Sequence, residues 1–376
     1  MRRACLFGTY DRGHSANRLL RAALEAGGIE VIELHEPLWE ETRSKERGYF
    51  GAASLAALGG RWAGAAGRLA RRFRRLGGPP PIVVVGFGGQ LDVLIARAVC
   101  RPRAGLVFAP LVSLTETLVE DRGVFPAGGL RAAAVAALDR AALRAADVVL
   151  ADTVAHAAYL VALGAPEERV GVFHLGAEPE FLVPPPTRPP VAGRVLFYGR
   201  FLPLHGIDTI VAAAALLGDR AEVVLIGAGP ERARVEAQAR AMNARVVVRD
   251  EIPLVALPDE LAAAAVVLGV FGAGPKAAMV VPNKVYQACA VGRPLVTRDG
   301  PALREVLQPD VHCLAVPPAD PQALAAAVRR LLDEPALAAR LGAAARARVL
   351  ERFTAARQGE ALVGLLRSSL ERIGGG

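Results

Sequence analysis

Lysine is nearly missing from this chain. Of 45 basic residues in 376, only Lys45, Lys276 and Lys284 are lysines. Arginine has taken their place and alanine is abundant, a pattern of GC-rich coding, so much of the net charge of +8 is compositional. A lysine kept in such a chain points to a geometric need for a compact ammonium, and two of the three fall within 276–284. Cysteine is scarce as well. Cys5, Cys100, Cys289 and Cys313 are far apart with no paired spacing. That excludes a zinc or CxxC arrangement and argues against a disulfide framework, so a reducing, cytoplasmic setting is expected. No apolar run approaches the roughly 20 residues that span a bilayer. The longest candidate, 261–274, is broken by glycines. The opening MRRACLFGTYDRGHS has two arginines but no apolar stretch behind them, so no secretory signal is expected. Aromatic residues make up only 5%.

What is present is a large apolar fraction, 53%, with an ordinary 22% of charged residues. Disorder, collagen and coiled-coil classes are excluded. At about 150 residues per domain the length suggests two domains. Short β-branched runs alternate with Ala/Leu/Arg helical stretches. Strands are expected at 4–7, 29–34, 82–85, 105–108, 148–150 and 170–173, then at 195–198, 223–226, 246–248, 266–269, 294–297 and 312–316. Helical periodicity fills the gaps, which implies βαβ units and parallel sheets. Five prolines between Phe181 and Gly193 interrupt the alternation. The expected division is an N-terminal Rossmann-like domain (1–183), a proline-rich linker (184–193), a C-terminal Rossmann-like domain (194–345) and a helical tail (346–376), a candidate to cross back to the first domain. The fold class is α/β, two Rossmann-like domains facing a cleft. Ligands in such sheets sit beyond the carboxyl ends of the strands.

Three strand-end segments of the second half could carry chemistry. Gly199-Arg200 leads to His205-Gly206 just before a helix; amides at such a helix start, with an arginine fork beside them, suit a phosphate. Gly227-Ala228-Gly229-Pro230-Glu231 is a glycine turn with proline at an expected first helical position. It does not complete GxGxxG, and no acid follows at dehydrogenase spacing, so a nicotinamide site is disfavoured. The third segment holds Gly272, Gly274 and Lys276, then Pro282-Asn283-Lys284 at a helix start. Each segment alone also fits an ordinary turn.

In this order the three segments resemble the donor half of GT-B glycosyltransferases, in particular the retaining family-4 group with a PxK variant of its acidic motif. The first half resembles the same subset through Phe7-Gly-Thr-Tyr-Asp-Arg-Gly-His14 and Ser113-Leu-Thr-Glu-Thr-Leu-Val-Glu-Asp-Arg122. The resemblance covers nearly the whole chain. It implies transfer of a sugar from a nucleoside-diphosphate sugar, with retention and without a metal or other cofactor; no DxD-type aspartate pair is convincingly placed. Arg200 and Lys284 would stabilise the leaving diphosphate, with Glu116 as an acceptor-facing catalytic candidate. Donor-binding candidates are Gly199, His205, Gly227, Gly229, Pro230, Gly272, Gly274, Lys276, Asn283 and Gln287. This chain departs from the family at His205, where a lysine is usual, at Met279, where the first glutamate would stand, and at Gln287, where a ribose-binding glutamate is usual. The alternatives are a nucleotide-sugar epimerase of the same fold and a catalytically silent nucleotide-sugar-binding protein.

In the first half, Asp11, Gly13, His14 and Gly88 are candidates to contact the acceptor, whether a glycan, a lipid-linked sugar or a small natural product. His156 and His174 read as structural. Residues 1–78 hold 14 Lys+Arg against 8 Asp+Glu, and six arginines lie from Arg61 to Arg75 with no acid among them. Trp62, Leu69 and Phe73 interleave with these arginines. That pattern fits either a solvated helix or peripheral contact with an anionic membrane, at the inner face of the cell membrane. With no recognised nucleic-acid module, a nucleic-acid partner is not expected.

Overall fold

The computed structural model describes residues 2–38, 52–76, 78, 80–100, 104–182, 184 and 189–374. Lys45 and residues 185–188 of the expected linker lie outside them. The chain divides into two units. Met1–Leu175 with Ala355–Gly376 forms the first, and Gly176–Thr354 the second. The described part of the proline-rich stretch groups with the second unit, where Val191 N–H donates to the Ala263 carbonyl at 3.0 Å.

The first unit holds β1 (Arg3–Gly8), α1 (Ser15–Ala26), β2 (Glu30–His35), α2 (Ala52–Arg74), β3 (Ile82–Val85), α3 (Gln90–Cys100), β4 (Gly105–Phe108), α4 (Leu130–Ala145), β5 (Val148–Ala151), α5 (Val154–Leu163) and β6 (Val170–Val172). The second holds β7 (Arg194–Tyr198), α6 (Ile207–Leu217), β8 (Glu222–Ile226), α7 (Arg232–Ala241), β9 (Val246–Arg249), α8 (Leu257–Ala263), β10 (Val266–Leu268), α9 (Pro275–Met279), α10 (Asn283–Val291), β11 (Leu295–Arg298), α11 (Pro301–Val306), β12 (Leu314–Val316), α12 (Pro321–Asp333) and α13 (Pro335–Arg352). The last helix, α14 (Ala355–Gly374), returns to the first unit. Each strand lies within two residues of its expected place. Such strands are legible because a parallel sheet is covered on both faces, so its strands are runs of apolar residues such as Ile82–Val85, all buried.

Both sheets are fully parallel, in the orders β2-β1-β3-β4-β5-β6 and β9-β8-β7-β10-β11-β12. The strand order reverses at β1/β3 in the first and at β7/β10 in the second. At each reversal the flanking loops diverge and leave a crevice at the carboxyl ends, where open α/β sheets bind ligands.

α14 is part of the first unit's core, with Leu362 and Leu366 fully buried in it. It crosses α1 so closely that a Cβ on Gly359 would stand 2.6 Å from the Ala23 carbonyl oxygen. In α2 the apolar members of the arginine-rich segment are packed inward. Leu69 and Phe73 are buried in the unit's own core, and Phe73 meets Phe7 edge-on at 6.2 Å. Trp62 donates its indole N–H to Asp92 at 2.9 Å. These apolar side chains are already covered, and the arginine side is what α2 exposes. Among the described residues no helix is long and apolar enough to cross a membrane.

Candidate functional site

In the second unit three loops meet beyond β7, β8 and β10. The Phe271 N–H donates to the His205 carbonyl at 3.0 Å, and the Phe201 N–H to the Ala228 carbonyl at 2.9 Å. Glycine makes this possible. A Cβ on Gly206 would lie 2.6 Å from the Gly272 nitrogen, and one on Gly227 only 2.0 Å from the Gly199 carbonyl oxygen. Cβ atoms on Gly229 and Gly272 would meet backbone at 2.6 and 2.5 Å in the same way. These glycines, read from the sequence as places for a ligand to approach, are occupied by neighbouring backbone. Gly274 differs, since nothing stands within 4 Å of where its Cβ would be. Pro230 is exposed in a turn two residues ahead of α7, so it is not the helix's first residue.

Onto this scaffold α9 and α10 bring the two lysines. Lys284 is in the first turn of α10, after Asn283, and is 6% exposed. Its Nζ lies 3.8 Å from the centre of the Phe197 ring and has no hydrogen-bond partner. A Cβ on Gly199 would be 3.0 Å from that Nζ and 3.9 Å from His205 Cε1. Lys276, on α9, is buried too. Met279 closes α9, half-buried. Burial pushes the Lys284 ammonium well below its ordinary pKa. His205 is also pushed well down, by burial first and then by repulsion from Lys284 and Lys276. Its Nδ1 is bonded to the Arg200 carbonyl oxygen, which can only accept, so Nδ1 carries the proton and the neutral ring offers a bare Nε2. His205 therefore does not present a ready donor to an anion, as the sequence suggested. Arg200 keeps its side chain exposed. The structure brings Lys284, His205, Lys276 and Gly199 together, with Arg200 at the same turn.

Gln287 is already engaged. The Tyr198 hydroxyl donates to its Oε1 at 2.8 Å, and its Nε2 donates to Glu178 Oε2 at 2.9 Å. Glu178 is 1% exposed, and its other oxygen has no partner. This residue was not legible in advance: 109 positions separate it from Gln287.

In the first unit, the loops after β1 and β3 meet at the other reversal. His14 caps α1 by accepting the Ala16 N–H at Nδ1, and its ring lies 4.2 Å from that of Phe87. Asp11 accepts the Gly13 N–H at 2.9 Å. Gly88, at φ +85°, has open space around it. Two residues missed by sequence reasoning tie these loops. Asn17 accepts the Phe87 N–H, and Asp92 accepts the N–H and hydroxyl of Thr9 as well as the Trp62 indole. A polar residue on the buried face of α1 was the available signal for Asn17.

Glu116 is not acceptor-facing. It is fully buried, with Oε2 3.4 Å from His156 Nε2, while His156 Nδ1 is 2.7 Å from Asp152. Burial alone would lower the His156 pKa, but Asp152 and Glu116 outweigh it and raise the value to about 10. His174 is bonded through Nδ1 to the Asp152 carbonyl.

Residues 192–334 match the family model described as "Glycosyl transferases group 1". The two units together have the two-domain GT-B fold. Sucrose-phosphate synthase from Thermosynechococcus elongatus superposes over 99% of this chain and 100% of its own, with a TM-score of 0.76 at 20% identity. HepE from Anabaena superposes over 98% and 100%, with a TM-score of 0.69 at 15% identity. In sequence, the chain is 30% identical over 279 residues to D-inositol 3-phosphate glycosyltransferase 1 from Catenulispora acidiphila, covering 66% of this chain and 65% of that protein. It is 27% identical over 178 residues to alpha-D-kanosaminyltransferase from Streptomyces kanamyceticus, covering 46% and 45%. It thus spans less than two thirds of either relative's length.

Two outcomes follow. Gln287→Glu would set a second carboxylate against Glu178, and two such groups must share a proton. The pair's folded pKa is then raised, so the variant's loss of stability is small near pH 4 and grows as pH rises to 7. Denaturant unfolding at both pH values measures this, and adding Glu178→Gln should restore stability. For His156, a folded pKa raised to about 10 from the ordinary 6.5 of a histidine gives stability that is full below pH 6.5 and lost as pH climbs through 10. His156→Gln should be less stable than wild type at pH 6, and the gap should narrow by pH 10.

Proposed function

We propose that the protein is a glycosyltransferase that moves a sugar from a nucleoside-diphosphate sugar to an acceptor held by the first unit. One observation carries this reading: a buried lysine without an acceptor, Lys284, stands at the strand-order reversal of a group 1 glycosyl transferase unit. A buried amine with no acceptor of its own favours an anion. When a sugar leaves a nucleoside diphosphate, negative charge grows on the departing phosphate. Lys284 and Arg200 would offset it, an electrostatic form of catalysis in which protein cations do the work of a metal. HepE was solved with UDP and glucose, which supports a nucleotide sugar as donor. Retention at the anomeric carbon is part of the proposal on the strength of the motif resemblance.

The arginine side of α2 supports a second element. Arg61, Arg68, Arg71, Arg72 and Arg74 are exposed, with Arg75 just beyond the helix. Arg68 and Arg72 pair with Glu36, so part of this charge is already met. Arg71, Arg74 and Arg75 suit electrostatic contact with an anionic membrane surface at the inner face of the cell membrane, without apolar insertion.

A nucleoside diphosphate at 100 times its Kd should stabilise the protein by about 2.7 kcal/mol. A thermal-shift series with UDP, GDP, ADP and TDP reads this; Lys284→Ala and Arg200→Ala should lose the shift, and no shift with any of the four would refute the donor site. Mass spectrometry of sugar nucleotides with and without acceptors separates the enzymes, because an epimerase turns over its donor alone. Vesicles containing anionic lipid should bind the protein at low salt and release it at about 0.5 M, where the screening length is only a few ångströms. Equal binding to neutral vesicles would exclude the arginine contact.

A further inference from the structure

We infer that Lys284 rests uncharged against Phe197 and is protonated as a diphosphate enters, so that nucleotide binding takes up a proton. The inference rests on the donor-site reading and adds a linkage to it. Lys284 Nζ is shut from solvent, has no hydrogen-bond acceptor and makes no ion pair. An ammonium has three donors to satisfy, and one aromatic face does not replace them.

The groups around it add no compensation. β7 contributes the Phe197 ring at 3.8 Å and the Tyr198 ring at 6.0 Å, whose hydroxyl is turned to Gln287. The turn after β7 contributes the His205 ring, and α9 contributes Lys276, both basic side chains. On α10 itself the neighbours are Asn283 and the amide of Gln287. The one carboxylate in this network, Glu178, is bonded to that amide rather than to Lys284. Burial disfavours a proton on Lys284, and burial together with the two lysines disfavours one on His205.

An incoming diphosphate reverses the balance. It provides acceptors and negative charge where there were none. The flexible lysine stem lets Nζ turn from the ring to a phosphate oxygen. The balance is one proton gained from solvent, on the Lys284 amine or on His205 Nε2, for an anion bound; no bond is made or broken.

Isothermal titration calorimetry tests this at pH 8, where the diphosphate of UDP is essentially fully ionised. UDP is titrated in two buffers of low and high ionisation enthalpy. The expected result is net proton uptake by wild type, with affinity falling as pH rises from 7 to 9, at most about tenfold per unit for each proton. Lys284→Arg, which cannot lose its proton, should bind with reduced uptake. His205→Gln assigns any uptake that remains. UDP binding to wild type with no uptake overturns the linkage and leaves the donor site standing. Uptake unchanged in Lys284→Arg overturns the role of Lys284. No binding of UDP to wild type overturns linkage and donor site together.

Discussion

The second unit depends on burying a lysine amine without an acid to meet it. Lys284 is less than a tenth exposed, yet it makes no ion pair. A buried cation is costly unless paired, and protonation states shift to avoid it. The fold tolerates this because the surrounding backbone cannot relax. The loops after β7, β8 and β10 are locked by hydrogen bonds and by glycines with no room for a side chain. Those loops are where a Rossmann-type sheet leaves its crevice, so rigidity and unmet charge occur together.

The same accounting explains a departure from the family's motif. Where the resemblance calls for a glutamate, this chain has Gln287, and read alone that looks like a lost ligand. In the structure the carboxylate is still present in the network, supplied by Glu178. An amide can donate to a carboxylate on one side and accept from Tyr198 on the other. An ionised glutamate could only accept. The substitution at 287 is thus coherent with its neighbour, and it does not by itself signal a decayed site.

How much was legible in the sequence follows from the range of the interactions. Parallel strands such as Ile82–Val85 announce themselves because both faces are covered. Lys276 and Lys284 stood out as exceptions to an arginine-rich composition, and the structure places both in one buried basic group. Glycine positions were readable, but their packing was not: only three dimensions show that Gly227 makes room for the Gly199 carbonyl. Glu116 was read as acceptor-facing, and an internal ion pair was an alternative that the local sequence could not select, because His156 is 40 residues on and fully buried. Asp92, which holds Thr9 from 83 residues away, left no local pattern at all.

Lys284 contrasts with the buried carboxylates of the first unit, and that contrast bears on the reaction. Those carboxylates are bonded to donors: Asp92 to Thr9 and Trp62, Asp139 to the amides of Leu114 and Thr115, Glu116 to the Ser113 amide and Asp152 to the His156 ring. Near the strand-order reversal of that unit lie the His14 and Phe87 rings and the open space at Gly88. In the second unit Lys284 is left wanting an anion. Under the glycosyl-transfer reading, a phosphate already meets some of that want in the bound donor. The want is met more fully as the sugar departs and the phosphate charge grows. Interactions that strengthen along the reaction coordinate are the ones that accelerate it. A lysine fully neutralised by a resident carboxylate would have less to gain from that change. Leaving Lys284 without an acid therefore costs stability in the empty protein and favours the state in which the leaving charge is largest.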